Sequence, residues 1–251
     1  MGRAKGWFRA RRWWQQIALV MLCIVLAPIP CILLLGVVNP PITMVMLGRV
    51  TDRLLSGERP VWPTHDPVSR AEFSPYLRRA VLASEDDRFY LHRGIDFVEL
   101  EKALERRRQG GRLRGASTLT QQVVKNVFLW NGRSFIRKGF EAYLALCMDF
   151  LLSKERILDL YLNLAEWGPN AFGAEAGARY QFGKSARNLT REEAARMAAI
   201  LPAPRRWPAK GRVASQRVGT ILARMQYPAP KVAPEVTSRS PAPRRRPAPP
   251  R

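Results

Sequence analysis

From Ile17 to Val38 the chain runs 22 residues without a charge, long enough to cross the hydrocarbon core of a bilayer. Arg9, Arg11 and Arg12 and the pair Trp13-Trp14 stand before it. This basic flank and aromatic belt keep the N-terminus cytoplasmic and place everything after about residue 40 outside. The run exceeds the apolar core of a signal peptide, and Asn39-Pro40-Pro41 follows it instead of a small-x-small site, so an uncleaved anchor is expected. Pro28 and Pro30 should kink it. Residues 39–70 read as a proline-punctuated connector whose apolar patch, Ile42 to Leu47, fits a short helix on the membrane surface.

Beyond residue 70 the apolar positions recur at helical spacing almost throughout, with no alternating strand run and no internal repeat. Ser74-Pro75 opens one helix, with Leu77, Val81 and Ser84 on one side. Asp96 caps a second, with Phe97, Leu100 and Leu104 expected inward, running out in a basic glycine-rich loop from Arg106 to Arg112. Thr118 and Gln121 have capping-box spacing for a third helix ending near Asn126. Ile136, Phe140, Tyr143 or Leu144, Cys147 and Leu151 form the apolar stripe of a long fourth. Ser153 opens a fifth, and Thr190 with Glu193 boxes a sixth that ends at Leu201-Pro202. The fold class is mainly α. From Tyr227 the Pro/Arg/Ala-rich sequence cannot bury a core and is expected to be disordered. The resulting division is 1–16 basic tail, 17–38 transmembrane helix, 39–70 membrane-proximal connector, 71–226 folded domain and 227–251 tail.

Charge narrows the partners. The chain has 251 residues and a net charge of +22, and setting aside the two basic ends leaves the middle at +12. The folded part therefore suits an anionic partner such as phosphate, lipid headgroups or nucleic acid. Nucleic acid is disfavoured, because the domain lies outside the membrane and no basic helix with interleaved aromatics appears. The three cysteines make no disulfide framework.

Two polar blocks carry the candidate chemistry: Glu85-Asp86-Asp87-Arg88-Phe89 through His92-Arg93-Gly94, and Gly115 through Asn126. Glu85 ends its helix, where an acid opposes the dipole. It is either a surface acid paired with Arg88 or Arg93, or a base in a cleft with its pKa raised by the like charges of Asp86 and Asp87. His92 reads as a structural histidine. Capping accounts for Thr118 and Gln121 but leaves Ser117, Gln122, Lys125 and Asn126, a set suited to a sugar phosphate at a helix N-terminus. Arg137 and Glu141 are spaced for an ordinary surface ion pair worth at most about 1 kcal/mol. Lys154, Arg156, Tyr161 and Asn163 read one by one as a solvated face.

In order, these segments resemble the glycosyltransferase domain of peptidoglycan polymerases. That is the family of monofunctional transglycosylases and of the N-terminal half of bifunctional penicillin-binding proteins, glycosyltransferase family 51. The matches are Glu85, Asp86, Phe89, His92 and Gly94; Gly115, Ser117, Thr118, Gln121, Gln122, Lys125 and Asn126; Arg137, Lys138, Glu141 and Ala142; and Ser153-Lys154 with Ile157 through Tyr161-Leu162-Asn163. Gly173 to Lys184 and Leu201 to Pro204 complete the set. Ala165-Glu166-Trp167-Gly168 and Pro204-Arg205-Arg206-Trp207 look like the monofunctional branch, and Gly177 stands where alanine is common.

The resemblance implies a lysozyme-like helical lobe with a small membrane-proximal lobe. It implies an enzyme that polymerises lipid II, a lipid-linked disaccharide-peptide, into β-1,4 glycan with inversion and release of undecaprenyl pyrophosphate. Glu85 and Glu141 would be catalytic. Ser117, Thr118, Gln121, Gln122, Lys125, Asn126, Arg137, Lys138, Lys154, Tyr161 and Asn163 would bind substrate. No cofactor is obligatory; a divalent cation, Mg or Mn, would sit at Glu141 if anywhere. Expected partners are lipid II, the growing lipid-linked glycan, membrane lipids, and cell-division or penicillin-binding proteins, with the domain on the periplasmic side of the bacterial inner membrane. A lytic transglycosylase would share the fold but have no use for pyrophosphate-binding cations. A catalytically silent scaffold of the cell-wall machinery is the other alternative.

Overall fold

The computed structural model describes residues 2–111, 117–130, 132 and 134–226. Gly115, Arg112 and the C-terminal segment read as a disordered tail lie outside the described residues.

The apolar run forms helices α1 (Gly2–Leu26) and α2 (Pro28–Leu35). Ala27 between them keeps helical angles, and its N–H donates to the Cys23 carbonyl at 2.8 Å. Pro28 occupies the first turn of α2, where its missing N–H costs nothing. The prolines thus mark a one-residue break in an otherwise continuous rod. Trp13 to Leu35 is long and apolar enough to cross a membrane, with mean hydropathy 2.9 over its most apolar window. Helix ends at Leu35, not Val38. There the guanidinium Nε of Arg156 donates to the Leu35 carbonyl at 2.7 Å and supplies a C-terminal cap.

The connector is more structured than its prolines suggest. Helix α3 (Met44–Leu55) is capped by Thr43 and buries Val45, Met46 and Val50, packing on the helix over Leu119–Phe128 and on Phe172. It belongs to the domain surface as well as to the membrane approach. A small three-stranded sheet, absent from the sequence reading, then ties the connector to the core. Strand β1 (Thr64–His65) runs parallel to β3 (Ala171–Phe172), which pairs antiparallel with β2 (Glu166–Gly168). Strands of two or three residues are too short to show a period of two.

The remaining helices are α4 (Pro75–Glu85), α5 (Phe97–Arg108), α6 (Leu119–Phe128), α7 (Phe135–Leu151), α8 (Lys154–Leu164), α9 (Ala174–Phe182), α10 (Arg191–Ile200) and α11 (Arg212–Arg224). Side chains of Ser74, Asp96, Thr118, Ser153 and Thr190 cap the helices they were expected to open. Helix α8 is buried from Ile157 through Leu164 and forms the axis of the lobe, with α6 packed along it. Helix α10 lies between α4 and α11. Its Ala194, Ala195, Ala198 and Ala199, all fully buried, let backbones approach closely.

Two expected faces are corrected. On α7 the buried residues are Glu141, Leu144, Ala145, Met148 and Asp149, while Ile136 and Phe140 of the predicted stripe are exposed. Helix α7 is apolar on two sides. The side carrying two acids turns inward because the acids find cations there, and the other flanks the anchor, where the Tyr143 hydroxyl donates to the Val25 carbonyl. On α5, Phe97 and Leu104 are exposed and only Ala103 is buried. Leu100 is half-buried beside Ala103, so the expected inward face is kept by these two alone, while Phe97, Val98 and Leu104 face outward.

Close packing explains one departure from the family pattern. A Cβ at Gly177 would run into the Cβ of Trp167, so the glycine lets α9 seat on this fully buried indole. Gly94 holds φ +68, and a Cβ there would stand 2.6 Å from the Ala145 carbonyl oxygen. Only glycine lets this loop lie against α7.

Candidate active site

The C-terminal end of α4, the face of α6 and the first turns of α7 converge on one polar cleft. Glu85, the last residue of α4, is partly exposed. Gln122 Nε2 donates to Glu85 Oε2 at 3.1 Å, and the Ser84 hydroxyl donates to Oε1 at 3.3 Å. The Tyr161 hydroxyl in turn donates to Gln122 Oε1 at 3.3 Å. This relay fixes which end of the Gln122 amide faces the carboxylate. Arg88 is not the partner of Glu85; it bonds Asp96 at 2.9 Å.

Burial pushes the Glu85 carboxyl above the ordinary glutamate range, opposed by the Gln122 hydrogen bond, the Arg217 charge and Ser84. Asp86 adds the smallest push. The expected crowding by two acids is therefore not the main cause. Asp87 is exposed, and Asp86 is turned away, accepting from His92 Nε2 at 3.0 Å and from the Leu119 N–H at 2.9 Å. Asp86 thereby holds the start of α6, and the Thr118 hydroxyl donates to the Gly94 carbonyl at 2.6 Å. The first polar block is bolted to the second.

Lys125 follows Gln122 by three residues and lies on the same face of α6. It is largely desolvated, and that burial lowers its pKa; Glu141 raises it, while Arg137, Lys138 and Arg49 lower it further. Arg137 donates to Glu141 Oε2 at 2.9 Å and to the Gly132 carbonyl at 2.8 Å. Lys138 pairs with Glu141 Oε1 and reaches the Ser117 hydroxyl at 3.3 Å. The Glu141 side chain is only 4 % exposed and Arg137 only 12 %. This is a buried ion pair, not the surface pair its spacing suggested. Both oxygens of Glu141 are taken by cations, and no three His, Cys, Asp or Glu converge among the described residues. As placed here, Glu141 has no oxygen left unengaged to offer a divalent cation.

Other predicted binding residues are placed in the interior. Thr118 and Gln121 complete the capping box and are buried. Lys154 bonds Asp149 at 2.6 Å and sits 4.5 Å over the Phe89 ring. Burial pushes its pKa down against the pull of Asp149. Asn163 is 1 % exposed and bonds both the N–H and the carbonyl of Val68, while its own carbonyl faces His65 at 3.0 Å. Tyr161 is equally buried, which pushes its phenol well above the usual tyrosine range. These are tethers of the connector and cleft wall, not a solvated face. Asn126 is half-buried on α6.

Sequence reasoning missed Arg49 and Arg217. Arg217 donates to the Ala199 carbonyl at 2.9 Å, lies 5.9 Å from the Trp207 ring, and directs its charge at Glu85. Neither lies near the motifs in sequence, so no spacing could have flagged it.

A family model described as transglycosylase matches residues 53–226. A biosynthetic peptidoglycan transglycosylase of Pseudomonas aeruginosa is 44% identical over 214 residues, covering 84% of this chain and 88% of the relative. Proteins of the same description from Xanthomonas campestris pv. campestris and Pseudomonas entomophila are each 44% identical. The first aligns over 202 residues, 80% of this chain and 82% of the relative, and the second over 195 residues, 78% and 82%. With the motif order, the helical lobe and the cleft all in agreement, the chain belongs to the transglycosylase family, whose domain has the lysozyme-like fold.

Proposed function

We propose that the cleft joins two lipid-linked disaccharide-peptides with Glu85 as general base. The chain is a peptidoglycan glycosyltransferase of cell-wall synthesis; the assignment of residues to steps is our reading. A sugar hydroxyl is a weak nucleophile at neutral pH, so its proton must leave as the new bond forms. Glu85 takes that proton from the acceptor 4-hydroxyl. The oxygen attacks the donor anomeric carbon from the face opposite the pyrophosphate, whose C–O bond breaks, giving inversion. A raised carboxyl pKa makes Glu85 a stronger base than an ordinary glutamate.

Pyrophosphate leaves as an anion and needs charge, not a proton. Lys125, Arg137 and Lys138 supply it from α6 and α7, and Glu141 fixes the geometry of the last two. The observation that carries this reading is a desolvated cluster with more cations than carboxylates, whose Lys125 stands one turn of α6 from the amide that holds a half-buried acid. With the basic residues before Trp13 on the cytoplasmic side, the domain lies on the periplasmic face of the inner membrane, where both lipid-tailed substrates reach the cleft by lateral diffusion.

The test is incubation of the purified full chain with radiolabelled lipid II in detergent or vesicles. A polymer with β-1,4 linkages that lysozyme digests, with undecaprenyl pyrophosphate released in step, is expected. Absence of polymer under conditions where a relative is active would leave the silent-scaffold alternative.

A further inference from the structure

The two segments that mark the monofunctional branch in the sequence, Ala165 to Gly168 and Pro204 to Trp207, meet in space. They border a groove of about 550 Å³, closed on a third side by Arg49 of α3. The groove adjoins the cationic end of the cleft, since Arg49 is among the charges that depress Lys125.

Its polar groups are incompletely satisfied. Arg49 holds Glu166 Oε2 at 2.8 Å, but Arg205 stands 4.0 Å from Oε1. Glu166 Oε1 and Arg49 Nε are both buried and have no hydrogen-bond partner among the described residues. The Glu166 side chain is only 10 % exposed. A buried carboxylate oxygen in this state calls for an N–H or ammonium donor, and the guanidinium for an acceptor. Arg205 and Arg206 are exposed at the rim, free to meet carboxylates bidentately. Pro169, Pro202 and Pro204 add apolar walls that offer no N–H and suit small aliphatic side chains. Pyrophosphate fails this set of demands, because it brings acceptors only and would face the Glu166 carboxylate.

We propose that the groove binds the peptide portion of the lipid-linked substrate, an acidic peptide whose carboxylates meet Arg205 and Arg206 and whose amide or amine N–H groups meet Glu166. The proposal rests on the glycan-polymerase reading above and extends it to a part of the substrate remote from the reacting atoms. Binding there adds affinity to ground state and transition state alike, away from the reacting atoms, so it shows in KM and not in kcat.

The experiment uses the full chain in lipid vesicles with two substrates: lipid II carrying its whole peptide, and the same lipid-linked disaccharide with the lactyl group amidated and no peptide. The Arg205→Ala, Arg206→Ala double variant alters exposed residues and leaves the core intact. Its KM for the peptide-bearing substrate is expected to rise about tenfold, the loss of roughly one charge-assisted contact. Its kcat, and both constants for the peptide-free substrate, should be unchanged. Glu166→Gln should shift KM in the same direction, with circular dichroism reporting its fold. In parallel, a free pentapeptide with two carboxylates and one side-chain amine is titrated against the full chain by calorimetry, with inorganic pyrophosphate as competitor. Binding that the double variant loses and pyrophosphate does not displace supports the proposal. Equal kinetic loss on both substrates, no loss on either, or displacement by pyrophosphate overturns it. If the wild type polymerises neither substrate, the polymerase reading fails, and the titration alone decides the groove.

Discussion

Two polar regions of this molecule carry the residues that sequence reasoning assigned to catalysis and substrate, and they differ in how their charges are balanced. Behind the cleft, Lys154, Asn163, Thr118 and Gln121 are buried with partners: Lys154 on Asp149, Asn163 on both polar atoms of Val68, and Thr118 with Gln121 in a reciprocal cap. In the cleft, Glu85 is ionisable and disfavoured by burial, and Lys125 is desolvated among three arginine and lysine charges with Glu141 as the one acid that helps it. Buried polar groups that are paired hold a structure together. Groups left out of balance await something the protein does not contain. On the function proposed above, the paired groups position and the unbalanced ones react.

The largest effect should come from Glu85→Gln. Loss of the base should lower kcat by about 10²–10⁴-fold while lipid II binding persists. Polymerisation by this variant within tenfold of wild type would dissolve the distinction between the two regions. In the wild type, kcat/KM should fall as pH drops through a value above the ordinary glutamate range, because Glu85 acts only when ionised.

Next come the cations. Lys125→Ala and Arg137→Ala should each cost about 10²-fold in kcat, the usual scale for one lost electrostatic contact to a developing charge. Donor engagement should weaken more than acceptor engagement, as read by varying each lipid-linked substrate in turn.

Asn163→Ala should behave in the opposite way. Unpairing both polar atoms of Val68 should cost about 2 kcal/mol, or roughly 4–8 °C in Tm, with kcat/KM per folded molecule little changed. A stable but inactive Asn163 variant would move that residue back into the cleft.

The smallest effect sharpens the contrast most. A carboxyl whose folded pKa is raised contributes stability at low pH and loses it as pH rises through the folded value. Above the ordinary glutamate value Glu85 therefore destabilises the fold relative to acid. Glu85→Gln should raise stability by about 1 kcal/mol at neutral pH and lose that advantage in acid, as thermal melts at several pH values would report.

The helix starts and the two polar blocks were legible in the sequence because capping and local spacing act within four residues. Ser74, Asp96, Ser153 and Thr190 sit where their helices begin. What failed were questions of which face turns inward. Helix α7 offers apolar residues on two sides, and periodicity chose Ile136 and Phe140 although the acids Glu141 and Asp149 face the interior. Asn163 and Tyr161 look solvated by type, and only the packing of α8 at the centre of the lobe buries them. The approach of Arg49 to Lys125, of Arg217 to Glu85 and of Arg205 to Glu166 depends on long-range topology, which leaves no trace in local spacing.

The end of the anchor has a consequence for where lipid must stop. Ile32 is fully buried and Leu35 nearly so, and both belong to the same apolar cluster as Phe89, Val123 and Leu160. The last turn of the rod is thus part of the enzyme's interior, although its composition reads as membrane. Counting only the stretch from Trp13 to Cys31, the length left for acyl chains is about 28 Å at 1.5 Å per residue. That is close to the roughly 30 Å thickness of a hydrocarbon core. No slack remains for a flexible stalk, so the protein floor begins at the depth where the headgroups do. A soluble form cut at residue 40 would remove two side chains from the core and expose Leu152 and the guanidinium of Arg156 that caps Leu35. The severable joint of this molecule lies inside the apolar run, before Ile32, and not at the prolines that follow it.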